Sequence, residues 1–270
     1  MEDYKVNYYF ICEGGYEMKV IAIMGSPHKG KGYKIVRKIE TELKLTDDVD
    51  FEYIFLSDVN FQMCKGCFAC ISKGERFCTL KDDKENVEQK ILKADGIILS
   101  SPGYAQNVSG LMKNFMDRFA YSLHRPKFFN QSLMLVANGG SGLRKVNKAL
   151  SLTLGGSIKA CELSIMTTPW EVTKKYEDET DKNIKKNTKK FYKSMKNKKE
   201  ISPELGNLVW FKIFKNMASI SKINLPADYK YYSEKQNYFY QIKVNPLKSR
   251  IAGAIAIIAV RSMKKNVIFK

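Results

Sequence analysis

Apolar and polar positions between residues 18 and 170 alternate between two rhythms. Short runs rich in β-branched and apolar residues, at 19–24, 51–56, 96–100, 132–137 and 158–166, have the length and composition of strands, and Pro102 and Pro169 follow two of them. Between them lie stretches with helical patterning: Ile35, Ile39 and Leu43 after the first run, then 86–93, 112–121 and 143–154. Continuous apolar strands separated by helices predict an α/β fold, a doubly wound five-stranded parallel sheet covered on both faces. Ligands of such sheets sit beyond the carboxyl ends of the strands, near the point where strand order reverses. That directs attention to the loops after the first, third and fourth strands, which are the richest in Gly, Ser, Pro and Asn.

Residues 200–270 do not continue this rhythm. They hold an aromatic-rich stretch at 229–240, then Asn245 and Pro246, then an apolar run at 251–260. The expected organisation is a core domain at 18–199 with a mostly helical C-terminal appendage at 200–270. The run has ten residues, against the ~20 needed to cross a bilayer. Its basic flanks, Lys248, Arg250, Arg261, Lys264 and Lys265, suit a helix lying on an anionic membrane surface. The plainer reading is a helix packed on the domain or on a dimer partner.

Charge and cysteine usage narrow the function classes. Lys and Arg outnumber Asp and Glu by 46 to 28, a net charge of +18, which favours anionic partners without choosing among them. Eleven lysines lie between Lys174 and Lys199, where Ile184, Thr188, Phe191 and Met195 fall at helical spacing. That pattern reads as a helix with one packed stripe and a solvated basic face. No aromatic platform is interleaved with it, so no nucleic-acid partner is expected. Four of the six cysteines crowd into residues 64–78, unlike a secreted framework that staples distant loops. Residues 1–17 carry acids and tyrosines where a signal peptide would have a basic region and an apolar run. The expected location is cytoplasmic.

The first loop, Gly25-Ser-Pro-His-Lys-Gly-Lys-Gly32, comes within one residue of the nucleotide-binding pattern GxxxxGK[ST]. The failure is at the hydroxyl that would hold magnesium, where Gly32 stands, and the third strand ends in Ser100, Ser101 and Pro102 with no carboxylate. The spacing is not that of the dinucleotide fingerprint either. What remains is exposed backbone N–H groups, the Ser26 hydroxyl and a helix N-terminus, which suit one phosphate monoester.

The first loop, together with Ser101-Pro-Gly-Tyr104 and the stretch from Asn107 to Arg118, resembles the NADPH-dependent FMN reductase family over about residues 18–170. The resemblance implies a flavodoxin-like domain with FMN as cofactor. It implies Ser26, His28, Gly32 and Tyr33 at the FMN phosphate, and Pro102, Gly103, Tyr104 and Asn107 against the isoalloxazine. The family usually has Asn then Thr or Ser where this chain has Gly32 and Tyr33, so Ser26 and the backbone amides are expected to hold more of the phosphate. Tyr104 follows a strand and a proline that aim its ring off the sheet edge, for flavin stacking or for loop packing. Asn138, Gly139 and Gly140 offer donors to the flavin pyrimidine, or form a turn with Ser141 capping the next helix.

Cys64-x2-Cys67-x2-Cys70-x7-Cys78 is the most specific motif. Structural zinc sites usually set their two pairs further apart, whereas three cysteines at two-residue intervals resemble the ferredoxin run. A reduced thiol loop and a zinc site remain as alternatives. Within the flavodoxin-like group the motif resembles the iron-sulfur flavoproteins, which implies that all four cysteines ligate a [4Fe-4S] cluster near the FMN. Nearby Lys65, Lys73, Arg76 and Lys81 are expected either to offset cluster charge, to dock an acidic carrier, or to serve solubility.

The reading that results is an NAD(P)H-dependent oxidoreductase, or an electron carrier served by a ferredoxin-like partner, with homo-oligomerisation implied by the resemblance. The rivals are a carrier without enzymatic activity and an FMN reductase with no cluster. His28 and His124 have no nearby nucleophile in sequence, so hydrolase chemistry is not expected. The strand pattern begins only at Met18, and Glu13-Gly-Gly15 requires purine-rich codons that resemble a ribosome-binding site. Translation is therefore expected to start at Met18, and an intact-mass spectrum of the native protein is expected to lack residues 1–17; a mass that includes them refutes this.

Overall fold

Strand β1 (Met18–Met24) is almost wholly buried, with Ile21 and Ile23 on one face and Val20, Ala22 and Met24 on the other. Two-sided burial is why the run reads as continuous rather than alternating. The computed structural model describes residues 17–197 and 202–269. The expected later start bears on residues 1–17, of which 1–16 lie outside the described residues, as does Cys12.

After β1 the chain runs through α1 (Lys31–Lys44), β2 (Val49–Phe55), α2 (Ala69–Ser72), α3 (Lys84–Lys93), β3 (Gly96–Pro102), α4 (Gly110–Arg118) and α5 (Tyr121–His124). It continues through β4 (Ser132–Gly139), α6 (Leu143–Leu150), β5 (Ile158–Met166) and α7 (Lys174–Lys196). All strand pairs are parallel, in the order β2-β1-β3-β4-β5. This is the flavodoxin-like order, with its switch point between β1 and β3. Helices α3, α4 and α6 cover one face through Val87, Ile91, Met112, Phe115 and Val146. The opposite face is covered by α1 and α7 through Ile35, Ile39, Ile184 and Phe191. A Cβ on Gly96 would lie 2.2 Å from Met195 Sδ, so α7 approaches β3 as closely as only glycine permits.

Two helices stop short of their predicted ends. Helix α4 ends at Arg118 rather than Tyr121, and α6 ends at Leu150 rather than Leu154. The second stop has a steric cause. Leu154 takes a left-handed φ of 56°, and a Cβ on Gly155 would lie 1.9 Å from the Ser122 carbonyl oxygen, so the chain must turn to pass against α5.

Beyond the sheet lie α8 (Leu205–Ile220), α9 (Pro226–Ser233) and α10 (Pro246–Met263), with a core of their own around Leu208, Phe211, Tyr232 and Ala252. They dock on the segment after α5. Asp228 of α9 is buried against Arg125, and its second oxygen lies 2.8 Å from His124 Nδ1. The Tyr231 and Tyr232 hydroxyls donate to the carbonyls of Pro126 and His124, both at 2.6 Å. Arg125 also donates to the carbonyls of Cys70 and Ile71, so one guanidinium ties the helical appendage to the cysteine segment. Asp228→Ala takes the buried carboxylate from that guanidinium and leaves it only the longer, more exposed pair with Glu75 at 3.5 Å. It is expected to cost about 3 kcal/mol, read as a lower denaturation midpoint with loss of amide protection in α9.

Candidate functional site

Three loops interlock at the carboxyl edge of the sheet. The β1 loop enters through Gly25, whose N–H donates to Ser100 O at 2.8 Å and whose carbonyl accepts from Ser109 Oγ. Ser109 also caps α4 by accepting from Met112 N, and its own N–H donates to Ser101 Oγ at 3.0 Å. The β3 loop joins the β4 loop through Gly103 N–H and Asn138 O at 2.8 Å. The β4 loop meets the first turn of α1, since a Cβ on Gly32 would lie 2.7 Å from Asn138 Oδ1.

This edge is rich in uncommitted donors and acceptors. The N-cap of α1 is Gly30, which has no side chain to accept from the first-turn N–H groups. Asn138 is buried, yet its Oδ1 accepts no hydrogen bond. A helix N-terminus without a cap is an anion site in waiting. Ser26 shapes the loop before it, donating to His28 O at 3.0 Å and accepting from His28 N–H at 3.3 Å.

The expected flavin residues are distributed unevenly over this geometry. Ser26, Gly32, Pro102, Gly103, Asn138 and Gly139 lie where the loops meet. His28 and Gly140 are exposed beside them. The Tyr33 ring packs on Tyr53 and Phe55, centroids 5.3 and 5.7 Å away, leaving only its backbone to the loop. Tyr104 and Asn107 close a tight turn by paired backbone bonds of 2.9 Å, with Ala105 and Gln106 both at positive φ. Tyr104 is 55% exposed. Asn107 Oδ1 is turned inward onto Val108 N–H at 2.8 Å. Ser141 is not the cap of α6; that position falls to Gly142 at φ +69°, where Gln106 lies too close for any side chain.

The four cysteines of the motif line a single cavity of about 30 Å³ together with Lys65, Lys84 and Arg118. All are unpaired thiols. Burial, then the neighbouring thiols of Cys78, Cys64 and Cys67, push the Cys70 thiol above its ordinary value. The Ala69 N–H, outweighing slight desolvation and helped by the Thr79 hydroxyl, draws Cys67 down. Among the described residues no three His, Cys, Asp or Glu side chains are arranged as ligands of one metal ion. A cubane is wider than an ion and takes one thiolate at each of its corners, so four thiols around one cavity fit it in number and kind.

Helix α4 holds this segment in place. Asn114 accepts from Cys64 N–H at 2.9 Å and donates to the carbonyls of Phe61 and Gln62, both at 3.2 Å. Arg118 donates to Gln62 O at 2.8 Å and to Asp82 Oδ1 at 2.9 Å, and its Nη2 lies 4.0 Å from Cys78 Sγ. Burial opposes the Asp82 charge, but hydrogen bonds from Arg118 and from the Gln62 and Lys84 backbones outweigh it and hold the carboxyl below its usual range. Of the four exposed cations named from sequence, only Lys65 reaches the cavity. The buried cations there are Arg118 and Lys84, the latter paired with Glu88. A signal for Arg118 did exist, since it stands three residues after Phe115 on the apolar face of α4.

Residues 18–169, more than half of the chain, match the family described as NADPH-dependent FMN reductase. The chain belongs to that family. An iron-sulfur flavoprotein of Clostridioides difficile (strain 630) is 32% identical over 189 residues, covering 67% of this chain and 81% of that one. An iron-sulfur flavoprotein of Archaeoglobus fulgidus is 41% identical over 101 residues, 37% of this chain and 48% of that one. The chain thus spans about half the length of the Archaeoglobus relatives it matches. Among solved structures a flavone reductase is alike in fold, with a TM-score of 0.50 and 19% identity over 69% of this chain and 66% of that one. The segment shared with the FMN reductase family holds all three loops and all four cysteines, and ends before α7.

Arg118 and Asp82 side chains are 2% and 1% exposed, so Arg118→Leu leaves a buried carboxylate with no cation and only the Gln62 and Lys84 N–H groups to hold it. The expected cost is about 3 kcal/mol at neutral pH. In the wild type the lowered Asp82 pKa contributes stability above the ordinary carboxylate range, lost as pH falls. In the variant the carboxyl loses the Arg118 bond that lowers it while burial still opposes its charge, so it becomes neutral at a higher pH than in the wild type, and the two denaturation midpoints are expected to converge as pH drops through that range.

Proposed function

We propose that this member of the family binds FMN at the three-loop edge and a [4Fe-4S] cluster at the cysteine cavity, and exchanges electrons with NAD(P)H or a ferredoxin-like carrier. The observation that carries the reading is the uncapped first turn of α1 at the β1–β3 switch point, faced by the unsatisfied Asn138 Oδ1. Backbone N–H groups of Gly32 and Tyr33, with Ser26 and His28, would hold the phosphate. Pro102, Gly103, Tyr104 and Asn107 would lie against the isoalloxazine, with Asn138, Gly139 and Gly140 at the pyrimidine. Cys64, Cys67, Cys70 and Cys78 would ligate the cluster. Bound there, FMN supplies hydride and single-electron chemistry and the cluster single-electron storage.

The chain's own residues supply the surroundings. The buried Arg118 and Lys84 guard thiolate charge from inside the fold, where water does not screen them. Asn114 and Arg118 lie on the helix whose N-cap, Ser109, closes the β1 loop, so one rigid element spaces the two sites. Exposed Tyr104, together with Trp170 beyond β5, suits closure of the edge by a second copy, a homo-oligomer. Residues 200–270 act as an appendage to the 18–199 core, bracing the cysteine segment through Asp228. Free thiols suit a reducing compartment, the cytoplasm.

A second reading keeps the flavin and leaves the cysteines as thiols; it is favoured by the want of a converged ligand set. Anaerobic purification with flavin, iron and sulfide measured per chain separates the two. The proposal expects one FMN and about four irons; flavin without iron selects the second reading. Apoprotein is expected to bind FMN about a hundredfold more tightly than riboflavin, which lacks the phosphate. Equal affinities, or no flavin retained on reconstitution, refute the site. Steady-state reduction by NADH or NADPH distinguishes an enzyme from a carrier.

A further inference from the structure

Helix α10 is built inside out. The residues it packs against the appendage core are small, Ala252, Ala256 and Val260 at four-residue spacing, while its large apolar side chains point away. Leu247, Ile251, Ile255 and Ile258 share one outward face by their 4, 4 and 3 spacing, with Leu247 68% and Ile258 67% exposed. No charged residue lies between Arg250 and Arg261. Exposed isoleucines along three turns of a helix are costly in water, and burial on the protein does not explain them.

Charge identifies the occupant. From Lys235 to Lys270 the chain carries eight Lys and Arg and no Asp or Glu, and α8, on which α10 packs, has no acidic residue either. Lys248 and Arg250 stand at one end of the apolar face, Arg261, Lys264 and Lys265 at the other. A second copy seated on this face in either direction would bring cations against cations with no carboxylate to pair them. A spanning role is closed, since among the described residues no helix is long and apolar enough to cross a membrane. An apolar strip about 18 Å long, ended by cations, matches the boundary between anionic headgroups and acyl chains. We propose that the outward face of α10 docks the protein flat on an anionic lipid surface.

The test uses the full chain in co-sedimentation with vesicles of phosphatidylcholine alone and of phosphatidylcholine mixed about equally with phosphatidylglycerol. Binding to the mixed vesicles only, weakening with salt, is the expected result. Ile251→Glu/Ile255→Glu/Ile258→Glu leaves the buried stripe untouched and is expected to abolish binding, with far-ultraviolet circular dichroism unchanged. Arg250→Gln/Arg261→Gln/Lys264→Gln is expected to weaken partition about a hundredfold. A wild-type chain that stays in the supernatant with both vesicles overturns the proposal, as does binding that ignores lipid charge or survives the glutamates. Sedimentation equilibrium then shows whether the face instead joins two copies, through a dimer that the glutamate variant dissolves.

Discussion

Burying a parallel sheet on both faces leaves its polar backbone free to meet a ligand only at its ends. At the carboxyl end, neighbouring crossovers diverge to opposite faces where β1 gives way to β3, and a gap opens there by topology rather than by any special side chain. Everything else on that edge depends on the gap. The α1 N-terminus points into it, Ser109 and Gly103 lock its walls, and glycines at 25, 32 and 142 stand where Met112, Asn138 and Gln106 approach too closely for a Cβ. The result is a rigid cradle of backbone donors, which suits a cofactor that carries its own chemistry.

The cysteine segment has a different kind of stability. Between β2 and α3 it has little regular structure and few buried apolar residues, so its position is set by ionic and polar anchors. Arg118 with Asp82 fixes its entry, and Arg125 with Asp228 fixes the carbonyls of Cys70 and Ile71. Buried pairs contribute little net stability, but losing one partner is expensive, so each anchor acts as a specificity device for one loop conformation. Both arginines belong to the segment around α4 and α5. The same stretch of chain therefore positions the flavin-type loop, the thiol cavity and the helical appendage.

The appendage meets the core through the Asp228 ion pair and through Phe129 packed on Phe239 and Tyr240, and on α10 it turns its apolar residues to the outside. A helix that packs through Ala252 and Ala256 brings backbones close but buries little area per residue. Its attachment is firm because α8 and α9 supply the aromatic core, with Phe211 and Tyr232 rings 5.9 Å apart. The isoleucines are thus released from the task of holding the fold.

The order and type of the sheet elements could be read from the chain because period and run length are local properties, and the five strands and their connecting helices fall where the apolar runs placed them. The loops rich in Gly, Ser and Asn were legible for the same reason, as was the thiol motif, since two two-residue spacings and one of seven need no tertiary context. Helix ends were less legible: α6 stops at Leu150 because Gly155 must clear Ser122, a contact between residues distant in sequence. The Tyr33 ring was assigned to the phosphate loop by motif position, yet packing against Tyr53 and Phe55 takes it to the face of the sheet. The exposed lysines near the thiols were visible as composition, whereas the buried Lys84 and Arg118 become neighbours of the cavity only when α3 and α4 pack beside it. Which face of α10 is buried was equally hidden, because an apolar run of alanines and isoleucines has no polar side to orient it. Local patterning decides what each segment becomes, while long-range packing decides which side chains it presents to its neighbours.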